Sequence, residues 1–571
     1  MDLRRLFVNR IVWLMVLAGA MAPIGASAAE PPVPGELIEG LKSLKTADAA
    51  KRQAFYDLVA KKGDARLATA LTAYRDGQLQ LKDDRLVAYG PRINVPGQGS
   101  VLPLIDAITR EPVKSTDGQP IYVQRPDLSG AMRAPPPAEK RLIGGLLSSL
   151  SLNDPNPAKR KDAIQSAGDR EDETLLPILE TQLKSGSSSA YSTVLKESIG
   201  RIKLAKGTRE QKLEAADLLT DVRTNNGLTS LQKARDVPEN KSDAELSARL
   251  DRAISAGESY QTRIRWIQNT FAGLSLSSIL ILLALGLSII FGLMGVINMA
   301  HGEFMMVGAF TTYVVSEFWK AHLPGLYDYY LLSAIPAAFL AAGLIGFVCE
   351  IAVIRHLYGR PLETLLATWG IGLILIQTAR VGFGDTLSVT PPKWMEGGIE
   401  VMPDLYFPLN RLFIIFFCAA CIAAVYFIVN KTKLGLLLRA TTQNRDMASA
   451  LGVPTRRVDA LTFAFGAGLA GLAGVVVPLY NKINPSIGQE YIVDSFMVVV
   501  VGGVGKLAGA IIAGLGLGFL SKYLEPLLQN FKAMESSASV IGKVVVLGLI
   551  VVFLQWRPSG LFPPRGRMAD A

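Results

Sequence analysis

Cysteine is scarce in this chain, with three in 571 residues. All three lie in apolar stretches of the second half, so no disulfide framework holds the first half together. We interpret them as buried filler residues: Cys349, Cys418 and Cys421.

Charge is also low for a water-soluble protein. Charged residues make up 19% of the chain and hydrophobic residues 50%, whereas an ordinary soluble domain has about 25% charged residues. The formal net charge is +10, but many basic residues are gathered in short loops between apolar segments, which membrane topology explains better than nucleic acid binding. The composition therefore indicates a membrane protein with no nucleic acid partner.

The sequence lacks the phosphate-binding loop of an ATPase. Gly505-Lys506 comes nearest to it, but Leu507 follows where Ser or Thr is required, and the upstream glycine is missing. Residues 29–262 contain no metal-ligand cluster and no nucleophile paired with a base. We therefore expect no catalysis, no metal and no cofactor in this chain, and any ATP hydrolysis must occur on another subunit.

The N-terminus has the pattern of a secretory signal peptide. Arg4, Arg5 and Arg10 precede the apolar run Ile11 to Ala20, and the small residues Ala26-Ser27-Ala28 follow it. The pattern predicts a signal peptide over residues 1–28 with cleavage after Ala28. An uncleaved anchor helix is the alternative, although the run is short for a membrane span. In either case the following segment is expected to be exported.

Residues 29–262 are polar, and their apolar residues recur three and four apart over single-helix lengths. This spacing predicts a mainly helical exported domain, either with HEAT-like helical pairs or as an irregular bundle. Residues 91–137 are expected to form an extended loop, with a hairpin near Ile121 to Val123.

Residues 263–571 contain apolar stretches that mostly approach the ~20 residues needed to cross a bilayer. They predict an all-α polytopic transmembrane bundle of about eight spans. The seventh is too long for one helix and is interrupted at Gly502 to Lys506, so it is expected to form two crossings or a re-entrant hairpin. Gly466, Ala470 and Gly474 recur at a spacing that favours close helix packing. The stretches cover residues 267–290, 295–317, 329–354, 362–384, 408–430, 458–480, 493–525 and 540–556.

The orientation follows from the distribution of basic residues. With an exported N-terminal domain, successive crossings place residues 431–459, the most basic loop, and Arg557, Arg565 and Arg567 in the cytoplasm, as the positive-inside rule requires. Arg263 and Arg265 conflict with this arrangement, because they adjoin the first span on the outside. A cytoplasmic N-terminal domain would remove that conflict but would reverse every later loop.

Residues 291–310 form the first candidate functional segment. Glu303 is the only acidic or basic residue between Trp266 and Ser316, and an intramembrane carboxylate usually faces a polar path or a partner. The nearby glycines could permit a broken helix whose free backbone groups line a cavity. In the alternative, Glu303 and His301 satisfy each other or a neighbouring helix. The candidate pathway residues are Gly292, Gly295, Asn298, His301, Gly302 and Glu303.

Residues 432–458 form the second candidate segment, a basic loop that contains a helix-forming stretch and a glycine that would end a helix. Asn444 to Leu451 are predicted to form a short helix that Gly452 ends. Met447, Ala448 and Leu451 are predicted to share one face, with Arg445 and Asp446 available to another subunit. A helix inserted into a partner's groove fits this pattern, and a solvated basic loop is the alternative.

Four separated segments resemble permeases of branched-chain amino-acid ABC importers: residues 291–310, 432–458, 499–510 and 556–562. The resemblance covers about the last 300 residues. It implies that residues 435–458 carry the coupling helix that contacts the ATPase, with 440–452 at its centre. The coupling-loop residues are then Gly435, Arg439, Ala440, Asn444, Arg445, Asp446, Ala448, Leu451 and Gly452.

The exported domain departs from the ordinary amino-acid permeases and is similar to the extension of the long, urea-type form of the family. The resemblance implies a bacterial inner-membrane importer subunit that transports urea or, alternatively, a branched-chain amino acid. It further implies a second related permease, two ATPases and an extracytoplasmic solute-binding protein. A passive urea channel and a membrane sensor are the competing functions.

Overall fold

The computed structural model describes residues 33–563 apart from 46–47, 83–84, 96–98, 115–119, 125–130, 133, 155, 185–190 and 530–536. The predicted signal peptide, Arg565 and Arg567 lie outside these residues. The chain divides into two compact units, one ending at residue 255 and one running from 256 to the end, with residues 223–225 counted in the second.

The first unit is mainly helical, as expected. Several of its helices begin at residues whose side chains cap the free backbone N–H groups; Asp48 Oδ1 accepts a hydrogen bond from Ala50 N at 2.9 Å, for example. The helices are α1 (Gly35–Ser43), α2 (Ala49–Lys62), α3 (Ala68–Arg75), α4 (Pro137–Ser151), α5 (Pro157–Asp169), α6 (Leu176–Lys184), α7 (Ser192–Lys206), α8 (Arg209–Val222), α9 (Asn225–Asp236) and α10 (Pro238–Ser242).

A small antiparallel sheet interrupts these helices. The central strand β4 pairs with β2, β3 and β5, and β1 pairs with β2. The expected extended loop over residues 91–137 is therefore wrong in part, although the predicted hairpin region does contribute β5. The strands are β1 (Gln80–Lys82), β2 (Arg85–Tyr89), β3 (Ile93–Val95), β4 (Gly99–Asp106) and β5 (Tyr122–Val123).

The second unit is a helical bundle, joined to the first by a helix that contains the unit boundary. A two-stranded hairpin, β6 (Gly398–Met402) and β7 (Leu405–Pro408), is its only sheet among the described residues. Its helices are α11 (Ala244–Met294), α12 (His301–His322), α13 (Tyr330–Ala352), α14 (Pro361–Phe383), α15 (Leu409–Lys431), α16 (Lys433–Gln443), α17 (Arg445–Ala450), α18 (Thr455–Val476), α19 (Ile487–Gly502), α20 (Leu507–Gln529) and α21 (Ala538–Trp556).

Six of the described helical segments are long and apolar enough to cross a membrane: those of α11, α13, α14, α15, α18 and α20. Their burial separates them into two classes. The apolar windows of α11 and α18 are 83% and 78% buried, whereas those of the other four are 22–33% buried. We infer that α11 and α18 form the centre of the bundle and that the others turn apolar faces to lipid.

Two expectations about the membrane segments can be compared with the fold. The seventh apolar stretch is two helices, α19 and α20, joined by a turn in which Gly503 and Gly505 have φ of +97° and +75°. Helix α11 has 51 residues, about 76 Å at 1.5 Å per residue, so Arg263 and Arg265 lie on a helix far longer than the ~30 Å hydrocarbon core requires.

Glycine lets α12 pack closely against α18, as the spacing of Gly466, Ala470 and Gly474 predicted for α18. A Cβ on Gly474 would collide with the Met305 carbonyl oxygen of α12, and one on Gly308 would collide with the Gly471 carbonyl oxygen. Such contacts bring helix backbones together where lipid supplies no hydrophobic driving force.

Candidate functional site

A break in the membrane helices separates α11 from α12. Helix α11 ends at Met294, and α12 begins at His301. Gly295 has φ of +65° and its N–H donates to the Phe291 carbonyl oxygen at 3.0 Å, which is a left-handed helix end that glycine adopts without steric cost. The broken helix predicted from the glycines is therefore present.

Side chains from within the break and from α14 hold this segment. Asn298 is 2% exposed, and its Oδ1 accepts a hydrogen bond from Ala300 N at 3.1 Å. The Thr368 hydroxyl of α14 accepts one from Met299 N at 3.1 Å. The Asn298 amide nitrogen has no partner in the described part of the chain, so one polar group of the break is left open.

His301 attaches the start of α12 to α11. Its Nε2 lies 3.0 Å from the Leu283 carbonyl oxygen, so this nitrogen carries the proton that is donated. The ring also packs beside Gly286, where an added Cβ would lie 3.0 Å from it. His301 is fully buried, and Nδ1 has no hydrogen-bond partner among the residues described. The side chain thus has a structural bond on one nitrogen and a free second nitrogen.

Glu303 faces α14. It is 4% exposed, and its carboxyl carbon lies 3.3 Å from the position that a Cβ on Gly372 would occupy. Its Oε2 has no hydrogen-bond partner within the described ranges, and His301 bonds to Leu283 instead of to it. The alternative in which the two side chains satisfy each other is therefore wrong, whereas the one in which a neighbouring helix satisfies them holds for His301, through Leu283 of α11, but not for Glu303 Oε2. A buried carboxyl group with an open oxygen can accept hydrogen bonds from N–H donors or hold a proton.

The two other glycines of the predicted pathway serve close packing. A Cβ on Gly292 would collide with Gly505 in the turn between α19 and α20, and one on Gly302 would collide with the Gly488 carbonyl oxygen of α19. The break is thus fixed against α19 and its following turn by backbone contacts.

Sequence analysis did not identify the face of α14 that packs on the helix break and on Glu303. Thr364, Thr368 and Gly372 are buried on a helix whose apolar window is 28% buried. Their spacing of four, with small or hydroxyl side chains in an otherwise large apolar helix, is the signal that could have identified this face.

The predicted coupling loop contains two helices, α16 and α17. Gly435 lies near the start of α16, where a Cβ would collide with the Val429 carbonyl group of α15, so the chain folds back tightly there. Arg439 Nη1 donates to Asn430 Oδ1 at 3.4 Å, and the Ala440 carbonyl oxygen accepts from Asn444 N at 3.3 Å.

Helix α17 confirms the predicted short helix and the residues at which it begins and ends. Asn444 Oδ1 accepts a hydrogen bond from Met447 N at 2.9 Å, which caps the N-terminus. Gly452 has φ of +86°, and Val453 N donates to the Ala448 carbonyl oxygen at 3.0 Å, which closes the C-terminus.

Arg445 is bound within this chain, yet 41% of its side chain stays exposed, so its availability to another subunit remains a prediction. Its guanidinium pairs with Asp459, whose side chain is 6% exposed, and lies 4.7 Å from the centre of the Tyr358 ring. Burial, together with the nearby Asp459 and Glu350 carboxylates, raises the pKa of Tyr358 well above its ordinary value. Its hydroxyl therefore stays protonated, 3.5 Å from Glu350 Oε1. Arg445 thus positions α17 on α18 and on the segment that follows α13.

The predicted apolar face of α17 is divided between the protein and solvent. Ala448 is 4% exposed and packs inward, whereas Met447 is 58% and Leu451 79% exposed. Asp446 is exposed beside them. A helix anchored on one side with an apolar pair open on the other has the form of a docking helix.

Comparisons with known proteins identify a family for the second half of the chain. A family model described as "Branched-chain amino acid transport system / permease component" matches residues 269–554. No solved structure matches the chain at a significant level.

Three curated relatives cover the same half of the chain. The high-affinity branched-chain amino acid transport system permease protein BraD of Pseudomonas aeruginosa is 27% identical over 52% of this chain and 95% of its own length. LivH of Escherichia coli, with the same description, is 29% identical over 52% and 95%. LivM of Escherichia coli, also so described, is 26% identical over 51% of this chain and 69% of its own length. The chain therefore belongs to the family of branched-chain amino acid transport system permease components.

Proposed function

We propose that this chain is the membrane-spanning subunit of an ATP-driven importer for a small polar solute, and that the solute is urea. Helix α17 is the observation that supports coupling to an ATPase. It is anchored through Arg445 and Asp459, and it exposes Met447 and Leu451. A passive channel has no need for such a docking helix.

The choice of urea rests on the part of the chain that precedes the family match. The first unit lies before residue 269, where that match begins, and a long N-terminal extension is the feature in which the chain resembles the urea-type form. The names of BraD, LivH and LivM make a branched-chain amino acid the alternative solute. In either case we propose as partners a second related permease, two ATPases and an extracytoplasmic solute-binding protein.

In the proposed mechanism, Glu303 and the open groups of the helix break lie on the solute's route. Docking of an ATPase on α17 would move α18 and α13 through the contacts of Arg445. Both helices pack against α12, which carries Glu303. The bacterial inner membrane, with the first unit on the periplasmic side, is the location that fits this direction of transport and the positions of the basic loops.

Uptake in intact cells tests the proposal. Cells carrying or lacking the gene are given labelled urea or labelled leucine, with and without ATP depletion. ATP-dependent urea uptake that requires the gene is the expected result. Leucine uptake would assign the amino-acid alternative, and uptake that survives ATP depletion would support a channel.

Copurification of the ATPases tests the docking helix separately. Replacing the exposed apolar residue Leu451 by Glu should lower the recovered ATPase about tenfold, the effect of losing ~1.4 kcal/mol of binding free energy. Val237→Glu is the matched control, since Val237 is an exposed apolar residue of the first unit. Equal recovery from both variants would exclude Leu451 from the docking surface.

A further inference from the structure

A polar cavity lies where five helices of the second unit converge, away from the helix break. Its volume is about 210 Å³, several times the ~30 Å³ that one water molecule occupies in the liquid. The side chains that matter here are Ser275 of α11, Arg411 of α15, Asp494 of α19, Lys522 and Glu525 of α20, and Lys543 of α21.

Some of the polar groups around this cavity satisfy one another. Lys522 Nζ and Glu525 Oε2 form an ion pair at 3.0 Å. The hydroxyl groups of Tyr480 and Tyr491, which also line the cavity, lie 2.7 Å apart. These groups are accounted for by the fold.

Four other groups have no such partner. The Arg411 guanidinium, the Asp494 carboxylate and the Lys543 ammonium form no hydrogen bond or ion pair within 4 Å with any residue that the structure describes. Lys543 attracts Asp494 from a greater distance. The same holds for the hydroxyl of Ser275, which is 5% exposed. Unpaired charges on membrane helices are costly and usually face a ligand path. Charges of both signs around one cavity present hydrogen-bond donors and an acceptor to a bound molecule.

The cavity lies at the end of the bundle opposite the docking helix. Arg411 is at the start of α15, and α16 and α17 follow the end of this helix of 23 residues, about 35 Å away at 1.5 Å per residue. In the orientation predicted from the basic loops, this end faces the extracytoplasmic side, where an importer receives its solute.

We propose that this cavity binds the solute on the extracytoplasmic side before it enters the bundle; the proposal rests on the importer function given above. The chemistry is that of a small molecule with a carbonyl or carboxylate oxygen and N–H groups. Arg411 and Lys543 donate to the oxygen, Asp494 accepts from the N–H groups, and Ser275 donates or accepts. Urea and an α-amino acid share this chemistry, and the experiment distinguishes them.

Uptake kinetics of Asp494→Asn and Arg411→Gln, each with labelled urea and labelled leucine, test the site. We expect KM to rise about tenfold or more for the solute that the wild-type chain transports. For leucine the Asp494→Asn effect should be the larger, because Asn cannot pair with an ammonium group, whereas for urea it should be smaller, because the Asn oxygen still accepts hydrogen bonds. Arg411→Lys, which keeps the charge, should recover part of the loss.

Asp385→Asn and Arg380→Gln are the matched controls, since these residues pair with each other at 3.5 Å and are not among the residues that line the cavity. Neither control should change KM. If the wild-type chain takes up a solute and neither Asp494→Asn nor Arg411→Gln changes the KM, the cavity proposal is overturned but the importer function stands. Failure of the wild-type chain to take up either solute would overturn the importer function and, with it, the site.

Cysteine accessibility gives a readout that does not depend on the charged variants. Ser275→Cys should react with a membrane-impermeant thiol reagent added from outside, and saturating solute should protect it, whereas the wild-type chain with its three cysteines should not react. Labelling that solute does not affect, or no labelling from outside, would count against the site.

Discussion

Polar groups withdrawn from solvent are satisfied to different degrees in the first unit and in the helix break of the second unit. In the first unit they pair with one another. Arg52 Nη2 and Glu139 Oε1 lie 2.9 Å apart, and the Tyr56 hydroxyl donates to Glu139 Oε2 at 3.0 Å. Lys203, with 6% of its side chain exposed, bonds to Glu180 and Glu214 at 2.7 and 2.8 Å. Every one of these contacts joins two helices, so the charges hold the fold.

In the second unit, the helix break leaves comparable groups open. Asn298, His301 and Glu303 are each at most 4% exposed, yet each has a side-chain atom without a hydrogen-bond partner among the described residues. An unpaired polar group in a membrane interior destabilises the fold, so its presence favours a functional role. Burial alone therefore does not separate structural from functional groups in this chain, and we predict that the open groups of the helix break serve transport.

The largest expected effect is on transport, from Glu303→Gln. Gln keeps the shape of the side chain but cannot ionise, so a carboxylate on the solute's route should lose its function, and uptake should fall about tenfold or more. The measurement is the initial rate of labelled solute uptake at equal amounts of protein in the membrane.

Glu317→Gln is the control for this change. Glu317 is on the same helix, is exposed, and pairs with Lys320 at 2.6 Å, so its loss should have little effect on uptake. If Glu303→Gln transported at the wild-type rate, the open carboxyl group would be a feature of packing, and the contrast between the units would lose its functional meaning.

Gly302→Ala should have an intermediate effect, on stability. The added methyl group would collide with the Gly488 carbonyl oxygen, and separating α12 from α19 should cost about 1–3 kcal/mol. Gly516→Ala is the control, because no atom lies within 4 Å of that position. Thermal unfolding of the full chain in detergent measures both, and equal midpoints would show that the contact can relax at no cost.

The smallest expected effect is in the first unit, from Glu139→Gln. Hydrogen bonds from Arg52 and, to a smaller extent, Tyr56 lower the pKa of Glu139 below its ordinary value. Its contribution to stability is therefore complete above the ordinary carboxyl pKa and is lost as the pH falls through the lower folded-state value. At neutral pH the substitution should cost about 1–2 kcal/mol.

Hydrogen exchange of α2 and α4 in the full chain measures this effect. Protection in the wild-type chain should fall between about pH 6 and about pH 3, and Glu139→Gln should show less protection at the higher pH and a weaker pH dependence. Asp57→Asn is the control, since Asp57 lies on α2, is exposed, and accepts a hydrogen bond from Gln53 of the same helix at 3.1 Å. Equal pH dependence in the wild-type chain and Glu139→Gln would show that another group controls the opening.

Much of the second unit could be predicted because its signals are local. The apolar stretches form helices, a turn follows Gly502 within the predicted interruption at Gly502 to Lys506, and Asn444 and Gly452 flank a short helix. Each of these depends on residues within one or two helical turns. The sheet of the first unit was predicted only in part, because Val87 of β2 pairs with Asp106 of β4, and strand formation depends on such cross-strand neighbours more than on local sequence.

The sequence by itself determined that this is a helical membrane protein with an extramembrane part, where its helices break, and which few polar residues lie among apolar ones. These follow from composition, periodicity and the backbone preferences of glycine. Only the tertiary structure decided that His301 bonds to Leu283 rather than to Glu303, that Arg445 pairs with Asp459, and which charges surround the cavity. The reason is physical: a polar group's partner comes from whichever distant helix the packing brings within about 3 Å, and no local pattern specifies that helix.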